Sequence, residues 1–515
     1  MITLAVRAAF TALVLSAVSL SALAQAAKPD ACQIDRQTLA LRFGGEGMLP
    51  YVPGSINGMP TMAVIDIGSP YTTLNKAALE KIGVATIDTG ERIRGVGGSA
   101  PEVIANVNEI AVGPARGKGQ FQVMAGSRTE YGINLGTNYL LSTDLELSLA
   151  EKALRFVQPT NCGKNYLAYW SADAVTLPFV FGPEERPLFK VKIDGHELTA
   201  MLSTAIEQSV IDVQAAASLP GKTAAMFSAE GSTRVRVIGR STVPAWSSQF
   251  KLIEIGDEQI SDSKLTVMRL DGIQADVILG LDFLRSHRIL ISMSQRMLYF
   301  TYTGGPLFST ANDVDWLRSE AEAGNADAMY RLGANDDLQN RTMSAEALAW
   351  YRKAAATGHL NARQRLAYHD FAMGKFDAST LALRDVFRQR PPSAESAAML
   401  YLAATRSSSR AAATAELKIL RQNLVDNDPW QLALLDFHQD KIGWEKLVQF
   451  AEADVRQSTA RMCEAHFHGG QYLLATGQQD GARVRFGKAN DVCQKGSLAG
   501  SLASAELARA ASSGK

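Results

Sequence analysis

Val64-Ile65-Asp66-Ile67-Gly68-Ser69 decides how this chain is read. Apolar residues lead into an acid, and the acid enters a tight turn containing Gly and Ser, the pattern of a strand that delivers a carboxylate to a sharp loop. The same unit occurs twice. Setting Gly58 on Gly195 gives an offset of 137 that, without a gap, carries Ile56 onto Ile193, Asp66 onto Ser203 and Leu74 onto Ile211. The second copy therefore reads Met201-Leu202-Ser203-Thr204-Ala205, with Ser in the place of the acid. A second block, Leu135-Gly136-Thr137-Asn138-Tyr139-Leu140, falls on Leu279-Gly280-Leu281-Asp282-Phe283-Leu284 at an offset of 144. Two matched blocks in the same order, at nearly the same offset, read as an internal duplication.

Both copies read as β structure. Asn57-Gly58 and Asp194-Gly195 are two-residue hairpin signals, with residues 61–66 and 197–202 as the returning strands. Gly95-Val96-Gly97-Gly98 is a flexible turn between strand-like segments. Residues 145–149 with 155–157, and 289–292 with 298–300, read as a further hairpin in each copy. The composition changes after Gly304-Gly305-Pro306, and residues 313–510, rich in Ala, Leu, Gln, Arg and Glu, read as helical. A period of 34 relates Gly324 to Gly358, Ala328 to Ala362 and Leu332 to Leu366, the spacing of a helix-turn-helix solenoid. A plain helical bundle is the alternative, since residues 375–460 repeat poorly. Near the end, Gly470, Leu473, Gly477, Ala482, Phe486 and Ala489 have the small-large spacing that lets paired helices nest.

A chain of 515 residues implies about three or four domains. The 52 basic and 52 acidic residues balance, and no long basic run points to nucleic acid. Residues 1–26 read as a secretory signal: Arg7, an apolar stretch over residues 8–23, then small residues at the exit. A retained membrane anchor is the alternative reading. No Cys stands just after the cleavage region for lipid attachment, and no later stretch is apolar and long enough to span a bilayer. The expected location is periplasmic or secreted. The cysteines Cys32, Cys162, Cys463 and Cys493 are even in number and suit an oxidising compartment. Of three connectivities, Cys32–Cys162 with Cys463–Cys493 keeps each bridge inside a domain. A zinc site from Cys463, His466, His468 and Cys493 is the competing reading, although positions i and i+2 do not share a helix face.

These residues carry a resemblance. Asp66-Ile67-Gly68-Ser69, the glycine turn, and the blocks at Leu135-Gly136 and Leu279-Gly280 resemble retropepsin-like aspartic peptidases, here as two tandem domains, the second degenerate. Asn325-Ala326-Asp327-Ala328, Leu332-Gly333, Ala347, Trp350-Tyr351, Lys353-Ala354-Ala355 and Gly358 resemble a SEL-one-type repeat, and residues 463–493 a tetratricopeptide unit. The resemblance implies a multidomain β + α chain, two retropepsin-like β-barrel domains at 27–162 and 163–305 followed by an α-helical repeat solenoid at 311–515. It makes Asp66 the catalytic acid/base, Ile67, Gly68 and Ser69 its loop, Ser203, Thr204 and Ala205 a degenerate second loop, and Gly95, Gly97 and Gly98 a flap. It implies no cofactor and no metal. Asp88-Thr89-Gly90 is a literal Asp-Thr-Gly, but charged Glu91-Arg92 follow it and the second copy has no counterpart, so it reads as a surface turn.

The departures from the family pattern set the functional question. The chemistry needs two carboxylates sharing one proton, one acting as base and the other as acid. Here Ile67 replaces the Thr that follows the first acid, and Ser203 and Ala205 replace the second Asp and Gly. Three readings follow. A homodimer could bring two copies of Asp66 together as an endopeptidase. The two repeats could pair within one chain and bind an extended peptide or protein segment without cutting it. Or the helical repeats could hold a protein partner, with the β region as scaffold.

Overall fold

The computed structural model describes residues 31–513 except 46, 96–97, 114, 125–130, 183, 228–232, 237–241, 309, 341–342, 426–427 and 455–456. The expected signal segment and Gly97 lie outside the described residues.

Each repeat folds as a β lobe. The first lobe is an eight-stranded sheet in the order Arg42–Gly44, Leu49–Ile56, Met59–Ile65, Tyr131–Leu135, Thr73–Asn75, Ala115–Met124, Gly98–Val112, Ile87–Gly95. The second matches it strand for strand: Val180–Phe181, Pro187–Ile193, His196–Leu202, Val277–Leu279, Val210–Asp212, Glu258–Met268, Thr242–Ile255, Thr233–Arg236. Extra pairings, Leu49–Ile56 with Gly98–Val112 and Pro187–Ile193 with Thr242–Ile255, curl each sheet back on itself. The hairpin turns form where the sequence places them. Asn57 and Gly58 have φ of 49° and 77°, Asp194 and Gly195 of 48° and 82°, the left-handed pair that matches the twist of the flanking strands.

The lobes are not self-contained domains cut between residues 162 and 163. Hairpins from both repeats build one shared six-stranded sheet, ordered Gln33–Ala40, Ala153–Thr160, Asp144–Ser148, His287–Ser292, Met297–Tyr302, Val175–Pro178. At its centre Leu145 faces Ile291, Glu146 faces Leu290 and Leu147 faces Ile289. Residues 144 apart are duplicates, so Glu146 faces its own equivalent and the pseudo-twofold axis passes through that pair. Left alone, each hairpin would expose a strand edge; pairing the two edges removes both. Glu146 is fully buried and is held by Arg155 at 2.5 Å and Arg288 at 2.8 Å, which together satisfy its charge.

The rest of the chain is helical. Antiparallel pairs include Thr310–Glu322 with Ala326–Asn340, Ala345–Ala356 with Leu360–Ala372, Phe376–Gln389 with Ala394–Ser407, and Ser458–Ala475 with Gln479–Val492. Ser344, Ser393, Ser409 and Asp428 cap helix starts through their side-chain oxygens. Small residues nest rings: a Cβ on Gly470 would lie 2.4 Å from Phe486, as the spacing near the end implied, and one on Gly333 would lie 2.9 Å from the Tyr351 ring. Helix pairing continues through residues 375–460, where the sequence repeat is weak. One apolar core runs from both lobes into the first helices through Leu317, Ala321, Ala328 and Leu332, while the later helices have their own core around Phe371, Leu400 and Phe467.

Both expected disulfides form, Cys32–Cys162 and Cys463–Cys493. The first ties the start of the outermost strand of the shared sheet, Gln33–Ala40, to the end of its neighbour Ala153–Thr160. The second joins helix Ser458–Ala475 to the end of Gln479–Val492, which assigns its sulfurs to a covalent bond and not to zinc. Non-reducing peptide mapping should recover these two bridges. Replacing Cys463 and Cys493 by Ala should destabilise the helical part by about 2–4 kcal/mol in denaturant unfolding.

Candidate functional site

Asp66 directly follows the strand Met59–Ile65, and Ser203 directly follows His196–Leu202. The two loops are equivalent bond for bond. Asp66 N donates to Leu135 O at 3.0 Å, and Ser203 N to Leu279 O at 2.9 Å. Thr137 N donates to Ser69 O at 2.8 Å, and Leu281 N to Ile206 O at 2.9 Å. Thr72 donates from N and Oγ1 to Asn138 Oδ1, both at 2.9 Å, while its hydroxyl accepts from Gly136 N at 3.1 Å. Ser209 does the same with Asp282 and Gly280, at 2.9, 2.6 and 2.8 Å. Gly68 N donates to Asp66 Oδ1 at 3.0 Å, and Ala205 N to Ser203 Oγ at 3.2 Å, so the Ser hydroxyl occupies the role of one carboxylate oxygen.

The loops meet within one chain. Thr204 Oγ1 donates to Ile65 O at 2.5 Å and accepts from Ile67 N at 3.1 Å, reaching from the second lobe into the first. The symmetric pair of bonds from the first lobe cannot form, because position 67 is Ile; its side chain is buried in the apolar core instead. Gly68 permits the approach: a Cβ there would lie 2.4 Å from Ser203 Oγ and 2.6 Å from its Cβ. This pairing occupies the face on which a second copy's Asp66 loop would have to dock in the homodimer reading. What faces the Asp66 loop is Ser203 of the same chain.

Asp66 is 4% exposed. Burial raises its pKa above the ordinary value of 3.8. Several groups oppose that rise: Asn134 Nδ2, which donates to Oδ2 at 3.2 Å, the N–H groups of Gly68 and Ser69, and the charge of Arg186. Arg186 comes from the second lobe, is buried, donates from Nη1 to Gly68 O at 3.3 Å and pairs with Glu184. Neither Asn134 nor Arg186 was singled out from the sequence. Asn134 had a signal, since it is the one polar residue entering the Leu135-Gly136 block and aligns with Ile278. Arg186 aligns with Leu49 and had none.

The other expected residues lie as follows. Ser69 donates from Oγ to Tyr71 O at 3.1 Å, a loop-shaping bond. Gly95 pairs with Gly98 where strands Ile87–Gly95 and Gly98–Val112 meet. Asp88-Thr89-Gly90 sits in the first of these strands as an exposed bulge, with the register shifting between Asp88 and Arg92 and Gly90 N bonded to Asp88 Oδ1 at 2.9 Å. His466 and His468 are buried in the helical part.

Two outcomes are expected. Thr204→Val keeps the shape but leaves Ile65 O and Ile67 N unpaired, and should cost about 1–3 kcal/mol in urea unfolding. The raised pKa of Asp66 means that folding favours its neutral form, so its contribution is fully present below the unfolded value of 3.8 and is lost as pH rises through the higher folded value. Asp66→Asn, with Asn134 turning its amide to present oxygen, should therefore raise the melting temperature at neutral pH, and the gain should vanish in acid.

The solved structures similar to this chain include an aspartic proteinase from Irpex lacteus, 12% identical, with 54% of this chain and 100% of that chain covered and a TM-score of 0.32. A basic 7S globulin from soybean is 11% identical, over 53% of this chain and 96% of that chain, at a TM-score of 0.29. Conglutin gamma from lupine seeds is 12% identical, over 52% and 95%, at 0.30. No curated protein matches. Residues 52–139 and 189–283, one segment from each lobe and each containing one of the two facing loops, match the family model described as aspartyl protease.

Proposed function

We propose that the β part of this chain is an aspartyl-protease-like module that binds an extended peptide segment between its lobes and does not hydrolyse it. The observation that carries this reading is the pairing of Asp66 with Ser203 inside one chain. Hydrolysis by this fold needs a second carboxyl group to hold the shared proton opposite the first. A Ser hydroxyl does not titrate near neutral pH, and this one already accepts the Ala205 N–H at 3.2 Å. Peptide binding needs no acid, because an extended segment is held chiefly through its backbone groups as an added strand.

The same reading places the protein outside the cytoplasm, periplasmic or secreted. Its two disulfides fit an oxidising compartment, and no described helix is long and apolar enough to cross a membrane. The helical repeats are read as a second surface, for a protein partner.

The test is a quenched-fluorescence peptide library incubated with wild type, Asp66→Asn and the triple variant Ile67→Thr/Ser203→Asp/Ala205→Gly. Wild type should show no turnover above Asp66→Asn, yet should bind library peptides in fluorescence anisotropy. The triple variant should gain cleavage that is lost on adding Asp66→Asn and is best at mildly acidic pH, where a carboxyl dyad holds one proton. Asp66-dependent cleavage by the wild type would overturn the reading. A rate per chain that grew with protein concentration would restore the homodimeric endopeptidase.

A further inference from the structure

In the helical part a partly open cavity has a volume of about 130 Å³. It lies among helices Ala394–Ser407, Pro429–His438, Ser458–Ala475 and Leu498–Ser513, beside the Cys463–Cys493 bridge. The volume is close to that of a cavity that takes a single benzene ring, about 150 Å³. Met399, Phe467 and Leu502 give it an apolar floor, and all three are buried.

Two polar groups face this space with unused capacity. Glu464 Oε2 accepts from Trp430 Nε1 at 2.6 Å and from Gln431 Nε2 at 3.1 Å, which fixes the carboxylate, while Oε1 accepts no hydrogen bond among the described residues. Burial pushes this carboxyl above its ordinary value. Arg461, the nearby cation, is directed elsewhere: it pairs with Asp454 at 3.9 Å and lies over the Trp430 ring at 6.0 Å. The second group is His468, 7% exposed. Its Nδ1 shares a hydrogen bond with His438 Nε2 at 2.8 Å, and the residue lines the cavity with its Nε2 bonded to no described residue. His438 Nδ1 is buried without a partner. An unpaired buried N–H costs more than an unpaired lone pair, so His438 donates from Nε2, and His468 accepts at Nδ1 and carries its own proton at Nε2. Burial lowers the pKa of His468 to about 4, so the ring is neutral at physiological pH and adds no positive charge. Glu395 adds a second carboxylate to the lining.

We infer that this cavity is a binding site for a small primary amine, its ammonium held by Glu464 Oε1 and its apolar body, about one aromatic ring in size, on the floor of Met399, Phe467 and Leu502. The charge lining the site selects the sign of the ligand. A half-desolvated carboxylate with one oxygen unused is satisfied by a cationic donor and repelled by an anion. His468 Nε2–H adds a donor for a hydroxyl or ether oxygen on the ligand body.

Benzylamine is the probe, titrated into the full chain by calorimetry, with benzoate and acetyl-lysine amide as comparators. Benzylamine should bind one to one, about millimolar or tighter for a ligand of this size, and benzoate should not. Glu464→Gln should weaken benzylamine by about tenfold or more, the loss of one charge-assisted contact. Ala460→Trp, at an exposed position lining the cavity, should block entry without disturbing the core. Thermal unfolding of both variants separates lost binding from lost folding. Equal binding of benzoate, benzylamine affinity unchanged by Glu464→Gln in a folded protein, or no benzylamine binding by the wild type overturns the inference. Tighter binding of acetyl-lysine amide than of benzylamine also overturns it, in favour of a lysine side chain from another protein.

Discussion

The hydroxyl of Thr204 is the contact on which the site depends. It crosses from one lobe to the other, donates to Ile65 O at 2.5 Å, accepts from Ile67 N at 3.1 Å and is fully buried. Those two bonds bracket Asp66, so they fix the backbone on both sides of the one acid the site contains. They also require the loops to come together closely enough that position 68 has no room for a side chain. The first lobe makes no reciprocal bonds, because position 67 is Ile, so the grip is held by one residue. A duplicated structure that keeps half of a symmetric clamp is more sensitive to the remaining half.

The two lobes have diverged at the acid and not in the frame around it. Thr72 with Asn138 and Ser209 with Asp282 make the same bonds to equivalent atoms, and both Leu-Gly turns receive the same loop. Ser203 even preserves the loop's internal bond to the N–H two residues on. Replacing an acid by Ser at that point removes the cost of burying a second carboxylate beside Asp66, whose own pKa is already raised by burial. A Ser at that point is therefore compatible with a stable frame. Arg186 follows the same logic: a buried guanidinium from the second lobe against the Asp66 loop adds positive potential where a dyad would hold two acids.

Much of this was legible in the sequence because duplication turns one chain into its own comparison. The offsets of 137 and 144 placed Asp66 opposite Ser203, and Asn57-Gly58 and Asp194-Gly195 fixed the register of the strands leading to them. The even cysteine count gave the correct bridges once each was kept local. The shared sheet was not legible. Residues 145–157 and 289–300 read as hairpins, and nothing in a hairpin's pattern tells which edge it will cover. Arg186 was invisible for a related reason: it stands among Glu184, Glu185 and Pro187, where a charged residue ordinarily reads as a solvated loop. The pairing of helices across 375–460 escaped because large residues there, such as Trp430 and Phe437, fill space that small-residue spacing fills elsewhere.

The junction between the β and helical parts carries a consequence for how the molecule is divided. Asn325 Nδ2 donates to Phe43 O at 2.9 Å, and Asp327 Oδ2 accepts from Gly45 N at 2.9 Å, both on the first lobe. Arg331, on the same helix as Asp327, forks onto Glu207 in the loop that begins at Ser203 of the second lobe. Phe43 and Arg285 pack on Trp316, at 4.9 and 4.0 Å. One helix thus touches both lobes close to the facing loops, and His359 braces Asp327 at 2.9 Å from the following helix pair. A cut at residue 311 would expose the apolar core that Leu317, Ala321 and Leu332 share with the lobes, and would unpair Glu207. The first helices after 311 therefore pack on the frame that holds Asp66 against Ser203. The compositional break at Gly304-Gly305-Pro306 marks a change of secondary structure across which one apolar core is continuous.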